Sequence, residues 1–353
     1  MRILLVDNGQ PFNLDTPYFE CLGGSETSLL LLSKGLAELD QSVVLLTNSR
    51  VNVPQYDNNL ILHNINAIDQ VYNEADVIIF NRSIIPEILF TEDNKKKYCY
   101  THDAYDQIHI TATLSHPMIY NSLDGIICVS EWQKTTFNKY LGIPLNKMMV
   151  LGNSIDSSLY QGYVKRNENK LIFASIPYKG IEVLKDIFND VCVKSKRKDL
   201  EFHIFSSMKL YNTPEKDKDY EIYFSELSKT KGVYLHSPVS MRELAVELMS
   251  ASLYIHPSTY HETFGMLLTM SQAAGCLPVT VNNGAVSEII ENNVSGFFTK
   301  GKTIHNFNCY NEFIDIIVSA LNKDLYKKRL DAMELSTEWN YINIANKLLS
   351  YLR

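Results

Sequence analysis

The densest group of residues able to do chemistry is Tyr254-Ile255-His256-Pro257-Ser258-Thr259-Tyr260-His261-Glu262-Thr263-Phe264-Gly265. An apolar run ends within it and a helical pattern begins. That places it at the carboxyl edge of a parallel sheet, where open α/β folds bind ligands. Glu262 is a carboxylate near a helix start. It either caps the helix or stands beside free amides able to hold phosphate oxygens. His256 and His261 do not form H-E-x-x-H, so zinc is not expected.

Two further groups follow apolar runs. His102-Asp103, with Asp106, His109 and His116 beyond it, could form a metal cluster. His102 as a polar group at a strand's carboxyl edge is the better reading. Leu22-Gly23-Gly24-Ser25-Glu26 opens a helix and is either a turn with its N-cap or a loop over phosphate.

Other motifs fail on context. Residues 296–303 match the Walker A pattern, but neither a buried strand precedes them nor a helix follows. No G-x-G-x-x-G is present, which argues against a nicotinamide dehydrogenase. Asp217-Lys218-Asp219 is a formal D-x-D within PEKDKDYE, read as a solvated helix start. Lys95-Lys96-Lys97 reads as a solvated turn before a strand.

Short apolar runs at 2–7, 42–47, 76–80, 97–102, 125–130 and 147–152 alternate with helical patterns, notably 25–39 and 131–141. Such runs suit strands buried on both faces of a parallel sheet. After a polar stretch, 152–169, the alternation restarts with strands at 171–175, 202–206, 232–236, 253–258 and 277–281, and helices at 180–195, 240–250 and 265–274. Residues 309–353 read as wholly helical. A chain of 353 residues accommodates two such α/β domains.

The net charge of −7 lies entirely in the first half, with 10 Lys and Arg against 17 Asp and Glu in 1–155 and 23 of each in 156–353. Nucleic acid is therefore not an expected partner. No apolar run reaches the ~18 residues of a membrane-spanning helix, and the first strand begins too soon for a signal peptide. Six cysteines without a C-x-x-C pair read as reduced core thiols, so a cytoplasmic protein is expected.

The block 261–298, HETFGMLLTMSQAAGCLPVTVNNGAVSEIIENNVSGFF, strongly resembles the donor-binding signature of glycosyltransferase family 4, retaining enzymes of the GT-B fold within glycosyl transferases group 1. GGSE (23–26) resembles its glycine loop, THD (101–103) its histidine segment, and SIPYKG (175–180) its phosphate-binding turn. VSEWQKTTF (129–137) and KMMVLGNSID (147–156) resemble the stretch leading into its interdomain linker.

The resemblance implies an α/β GT-B fold, two Rossmann-like domains with parallel sheets facing across a cleft and a final helix crossing back to the first. Residues 1–155, with helix 337–353, would bind acceptor. Residues 156–336 would bind a nucleoside-diphosphate sugar, UDP or GDP being expected. Glu262, His102 and Lys179 match catalytic positions. Gly23, Gly24, Ser175, Lys179, Glu262, Thr263, Phe264, Gly265, Met266 and Met270 match donor-binding positions. No metal or cofactor is expected; Lys179 and helix-end amides would stabilise the leaving diphosphate. The acceptor would be a glycan or a lipid-linked molecule, with peripheral membrane contact left open.

The sequence departs from the pattern at three places. Met270 stands where a second Glu normally accepts hydrogen bonds from the ribose, Phe173 where an Arg is usual, and Asn153-Ser154-Ile155-Asp156 replaces N-G-V-D. A sugar-nucleotide epimerase and a non-catalytic nucleotide-sugar-binding protein are the alternatives, the second motivated by Met270.

Overall fold

The apolar runs of the first half pair into one sheet. In the computed structural model, which describes residues 1–49 and 53–353, its strands are β1 (Arg2–Asp7), β2 (Ser42–Thr47), β3 (Gln55–Asp57), β4 (Leu60–Asn64), β5 (Val77–Asn81), β6 (Lys96–Tyr100), β7 (Gly125–Cys128) and β8 (Met148–Val150). The spatial order is β3-β4-β2-β1-β5-β6-β7-β8. All pairs are parallel except β3 with β4 at one edge. Strand order reverses about β1 and β5, so the loops after these two strands diverge and leave room at the sheet's carboxyl edge.

The second sheet contains β9 (Asn167–Ala174), β10 (Glu201–Phe205), β11 (Val233–His236), β12 (Ala251–His256), β13 (Leu277–Thr280) and β14 (Phe297–Phe298). Its order is β11-β10-β9-β12-β13-β14, parallel throughout. Here the reversal falls between β9 and β12. Leu171, Phe173, Leu184, Phe188, Phe202 and Phe313 pack in this unit's core; Leu4, Val6, Val44, Ile78, Phe80 and Phe137 pack in that of the first. Each such side chain contributes about 1.5–3 kcal/mol through burial.

The chain divides into a unit of residues 1–16, 22–156 and 338–353 and a unit of residues 17–21 and 157–337. The last helix, Tyr341–Leu352, therefore completes the first unit. It packs on helix Gly24–Glu38, burying Ile344, Ala345, Leu348 and Leu349. Gly35 allows the approach, since a Cβ there would lie 2.6 Å from the Tyr341 carbonyl oxygen. The region expected to be wholly helical is interrupted: helices Phe307–Leu321, Tyr326–Ser336 and Tyr341–Leu352 are separated by short turns.

One surface expectation is corrected: Lys96 and Lys97 open β6, with Lys95 just before it, and this segment is no solvated turn. Lys97 is buried, donating to the Thr91 carbonyl at 2.7 Å and pairing with Asp93 at 3.1 Å, while Lys96 pairs with Asp124. Asp217-Lys218-Asp219 does lie in a largely exposed helix start, the 3-10 turn Pro214–Tyr220 that leads into helix Glu221–Ser228, within which Asp217 is tied down. It accepts from Ser207 Oγ at 2.5 Å and the Met208 amide at 2.6 Å, and so anchors that loop. Residues 296–303 contain β14 itself, and the next helix begins at Phe307, so no P-loop forms. The six cysteines are free.

Candidate functional site

The loops after β9 and β12 meet where the strand order reverses. After β9, a single 3-10 turn, Pro177–Lys179, ends at Gly180 with φ of 116°. A Cβ on Gly180 would sit 3.0 Å from the Pro257 side chain, so glycine lets this turn lie against the loop after β12. Lys179 and Glu262 are thereby brought together. Lys179 Nζ donates to both carboxylate oxygens of Glu262, at 2.8 and 3.0 Å.

Glu262 is held on every side. Its carbonyl accepts from the Ala285 amide at 2.7 Å. Gly284, with φ of 74°, passes so close that a Cβ would lie 2.2 Å from that same oxygen. The carboxylate also accepts from His256 Nε2–H at 2.9 Å, and Tyr254 Oη lies 3.0 Å from His256 Nδ1. All three side chains are buried, whereas that of Lys179 is 25% exposed. Burial raises the Glu262 pKa, but Lys179 and His256 outweigh it and hold the carboxyl well below the usual range. The site therefore presents a fixed anion and a cation reachable from solvent.

The neighbouring residues fall into two sets. Gly265, at φ of 92°, turns the chain into helix Met266–Ala273, which begins four residues after Glu262. Thr263 and Ser175 are half-buried, whereas Phe264, Met266 and Met270 are buried. Met270 is only 5% exposed, so its thioether lies in the packing of the helix. Phe173 is fully buried on β9. Tyr178 and Tyr260 form a tilted ring pair 4.8 Å apart beside Lys179 and Glu262. Neither tyrosine stands out in the sequence, because nothing there shows that the two loops touch.

In the first unit, Gly23 is the N-cap of helix Gly24–Glu38, and its carbonyl accepts from the Thr27 amide at 2.9 Å. His102 lies just beyond β6, in a buried polar chain. Its Nε2–H donates to Asn81 Oδ1 at 2.9 Å, and Asn81 Nδ2 donates to Asp7 Oδ2 at 2.5 Å. Because the Asn81 amide is oriented by Asp7, the neutral His102 ring keeps its lone pair on Nδ1. Burial pushes the His102 pKa down to about 3, against the pull of Asp103. Burial, then the Glu26 carboxylate, pushes Asp7 up to about 6.

Asp103 takes a fork from Arg82 at 2.7 and 3.0 Å and a bond from His109 at 2.6 Å. Burial alone would raise its pKa; His109 and Arg82 bring it down to about 2. His109 is thus bound to Asp103, and no group of three His, Cys, Asp or Glu among the described residues is placed to hold a metal. Sequence reasoning missed Asp7, Asn81 and Arg82. The available signal was a polar residue at the end of each apolar run.

This arrangement can be set beside known proteins. Residues 163–314 match glycosyl transferases group 1. The match contains Lys179, Glu262 and the strands that carry them. A glycosyltransferase of Methanocaldococcus jannaschii is 23% identical over 59% of this chain, and the aligned stretch spans 52% of that relative. A subunit of the phosphatidylinositol N-acetylglucosaminyltransferase of Saccharomyces cerevisiae is 22% identical over 93% of this chain and 82% of its own.

Solved structures show the same fold. HepE from Anabaena, in complex with UDP and glucose, superposes with a TM-score of 0.72 at 16% identity, covering 100% of this chain and 99% of that one. Sucrose-phosphate synthase from Thermosynechococcus elongatus gives a TM-score of 0.76 at 13% identity, covering 100% and 98%. The two α/β units are those of the GT-B fold. No helix among the described residues is long and apolar enough to cross a membrane.

Proposed function

We propose that this chain is a metal-independent glycosyltransferase that moves a hexose-like sugar from a nucleoside-diphosphate sugar, UDP or GDP, to a glycan or lipid-linked acceptor with retention of configuration. The observation carrying the proposal is the Lys179–Glu262 pair at the switch point of the second sheet. Breaking the bond from the anomeric carbon to the phosphate oxygen leaves the electron pair on the diphosphate and builds positive charge on the sugar. Lys179 and the first amides of helix Met266–Ala273 would stabilise the diphosphate. Glu262 would face the sugar as a fixed acceptor, kept anionic by Lys179 and His256. The acceptor oxygen would then bond to the anomeric carbon, its proton passing to the departing phosphate oxygen. Neutral His102 would contribute a hydrogen bond rather than a charge.

The match to glycosyl transferases group 1 and the UDP-bound neighbour support this reading. The deciding experiment is a thermal-shift screen against sugar nucleotides, followed by assay of hydrolysis and transfer, since a ligand of the folded state raises its melting temperature. Stabilisation by a sugar nucleotide with neither hydrolysis nor transfer would favour a non-catalytic binding protein. The buried Met270, where a ribose-binding carboxylate is usual, favours that second reading. Release of an epimerised sugar without an acceptor would favour an epimerase.

A further inference from the structure

Four tyrosines gather at the carboxyl edge of the second sheet, next to the Lys179–Glu262 pair. Tyr178 comes from the turn after β9 and directly precedes Lys179. Tyr260 comes from the loop after β12, two residues before Glu262. Their rings lie 4.8 Å apart, tilted by 54°. Tyr211 and Tyr220 end the two 3-10 turns after β10, Met208–Tyr211 and Pro214–Tyr220. The Tyr178 side chain is hydrogen-bonded to that of Tyr211, and Tyr220 neighbours Tyr260. All four belong to the second unit.

The cluster is not closed over itself. Tyr260 is 51% exposed and Tyr211 37%, while Tyr178 and Tyr220 are half-buried. Exposed aromatic side chains scattered singly are ordinary, but several that converge from three loops beside a reactive pair mark a binding surface. Burial, then Tyr211, pushes the pKa of Tyr178 up, and burial, then Tyr260, Asp219 and Glu182, does the same to Tyr220. Both phenols therefore keep their protons. Each ring offers an apolar face and a polar tip, and the carboxylates of Glu182 and Asp219 stand beside Tyr220. A pyranose has the complementary make-up, with C–H bonds on its faces and hydroxyls around its rim. An aliphatic chain laid here would strip water from these polar groups and return no hydrogen bond.

We propose that Tyr260 and Tyr211, with Tyr178 and Tyr220, form a stacking platform for a pyranose ring of the acceptor, which is therefore a carbohydrate seated in part on the second unit. This rests on the transferase reading above, which assigns the diphosphate to Lys179 and the donor sugar to Glu262. The ring on the platform is then the one that receives.

The test uses the full chain with maltotriose, cellotriose and mannotriose as probes at millimolar concentration, read by saturation-transfer NMR. The rise in melting temperature caused by UDP is recorded alongside. At least one trisaccharide should bind. Tyr260→Ala and Tyr211→Ala should each weaken it about five- to tenfold. Tyr260→Phe should retain it, because the ring face makes the contact. A UDP shift with no trisaccharide bound overturns this inference and leaves the transferase reading standing. Trisaccharide binding without a UDP shift supports the platform and counts against the transferase reading. Binding indifferent to both alanine changes overturns the proposal. So does loss of UDP rather than trisaccharide from Tyr260→Ala, which would make the platform a seat for the nucleobase. Both alanine changes fall on exposed side chains, and unchanged melting temperatures without ligand confirm that the variants fold.

Discussion

Lys179 Nζ straddles the two carboxylate oxygens of Glu262, at 2.8 and 3.0 Å. The lysine is thus positioned by the residue it neutralises, and its partly exposed ammonium remains available to a second anion. Lys179→Ala should weaken binding of a nucleoside diphosphate by about 1.5–3 kcal/mol, the worth of a charge-assisted contact. Binding of the bare nucleoside should change little. Calorimetry with both ligands checks this; equal losses would show that Lys179 does not read phosphate.

Gly284 gives a sharper test of how Glu262 is held. Alanine there meets both a left-handed backbone and a clash 2.2 Å from the Glu262 carbonyl oxygen. Gly142 has nearly the same φ, 72°, with nothing within 4 Å of the added carbon. Gly142→Ala should therefore cost only the backbone term, about 1–2 kcal/mol. Gly284→Ala should cost more and also lower turnover, by displacing Glu262. Urea unfolding and initial rates on the two variants check this, and equal behaviour would dismiss the clash.

Asp7 should leave a mark on the pH dependence of stability. Its folded-state value, about 6, lies above the ordinary 3.8. Stability from the protonated form is therefore complete below about pH 3.8 and is lost as pH rises through 6. The full loss corresponds to about 3 kcal/mol. Asp7→Asn should remove this slope, so the variant gains on the wild type between pH 4 and 7. Unfolding free energies at both pH values measure it, and parallel profiles would refute it. Groups remote from Asp7 are common to both proteins and drop out of the difference, whereas Glu26, which is coupled to Asp7, is followed with a Glu26→Gln background.

Met270→Glu places a carboxylate at a position only 5% exposed. Unpaired burial should destabilise the fold by about 1–3 kcal/mol or more. Melting temperature and nucleoside-diphosphate affinity should be measured together. A variant that melts like the wild type and binds more tightly would mean that ribose reaches this helix.

Treatment with EDTA should leave transfer or donor hydrolysis intact, because Lys179 and helix amides are proposed to carry the diphosphate charge. Activity lost to the chelator and restored by magnesium or manganese would refute this.

The two-sheet architecture was legible because buried parallel strands must be nearly continuous apolar runs, as in β1, β2 and β12. Short, half-exposed β3 left no such run, and β4 offers only the three apolar residues Leu60, Ile61 and Leu62. Glu262 and Lys179 could be singled out from resemblance, and Gly180 from the turn beside them. The bonds that hold them could not be read there, although Tyr254 and His256 stand in the same group as Glu262. His256 and Tyr254 join Glu262 only because β12 places alternate side chains on one face, and Gly284 reaches Glu262 from another loop altogether. Asp7, Asn81 and His102 come from three strands adjacent in space but far apart in the chain. Their connection depends on strand order, which local patterns do not encode.

The contact between Gly35 and Tyr341 has a consequence for synthesis. The helix that closes over Gly24–Glu38 is translated only after all of residues 157–337, a delay of roughly 10–35 s at ordinary elongation rates. Through that interval the first unit must wait with the docking face of its long helix uncovered, while the second can already finish. The part made first is thus the part completed last. Nascent chains stalled before residue 341 should expose that leucine-rich helix to chaperones, whereas residues 157–337 should already resist proteolysis.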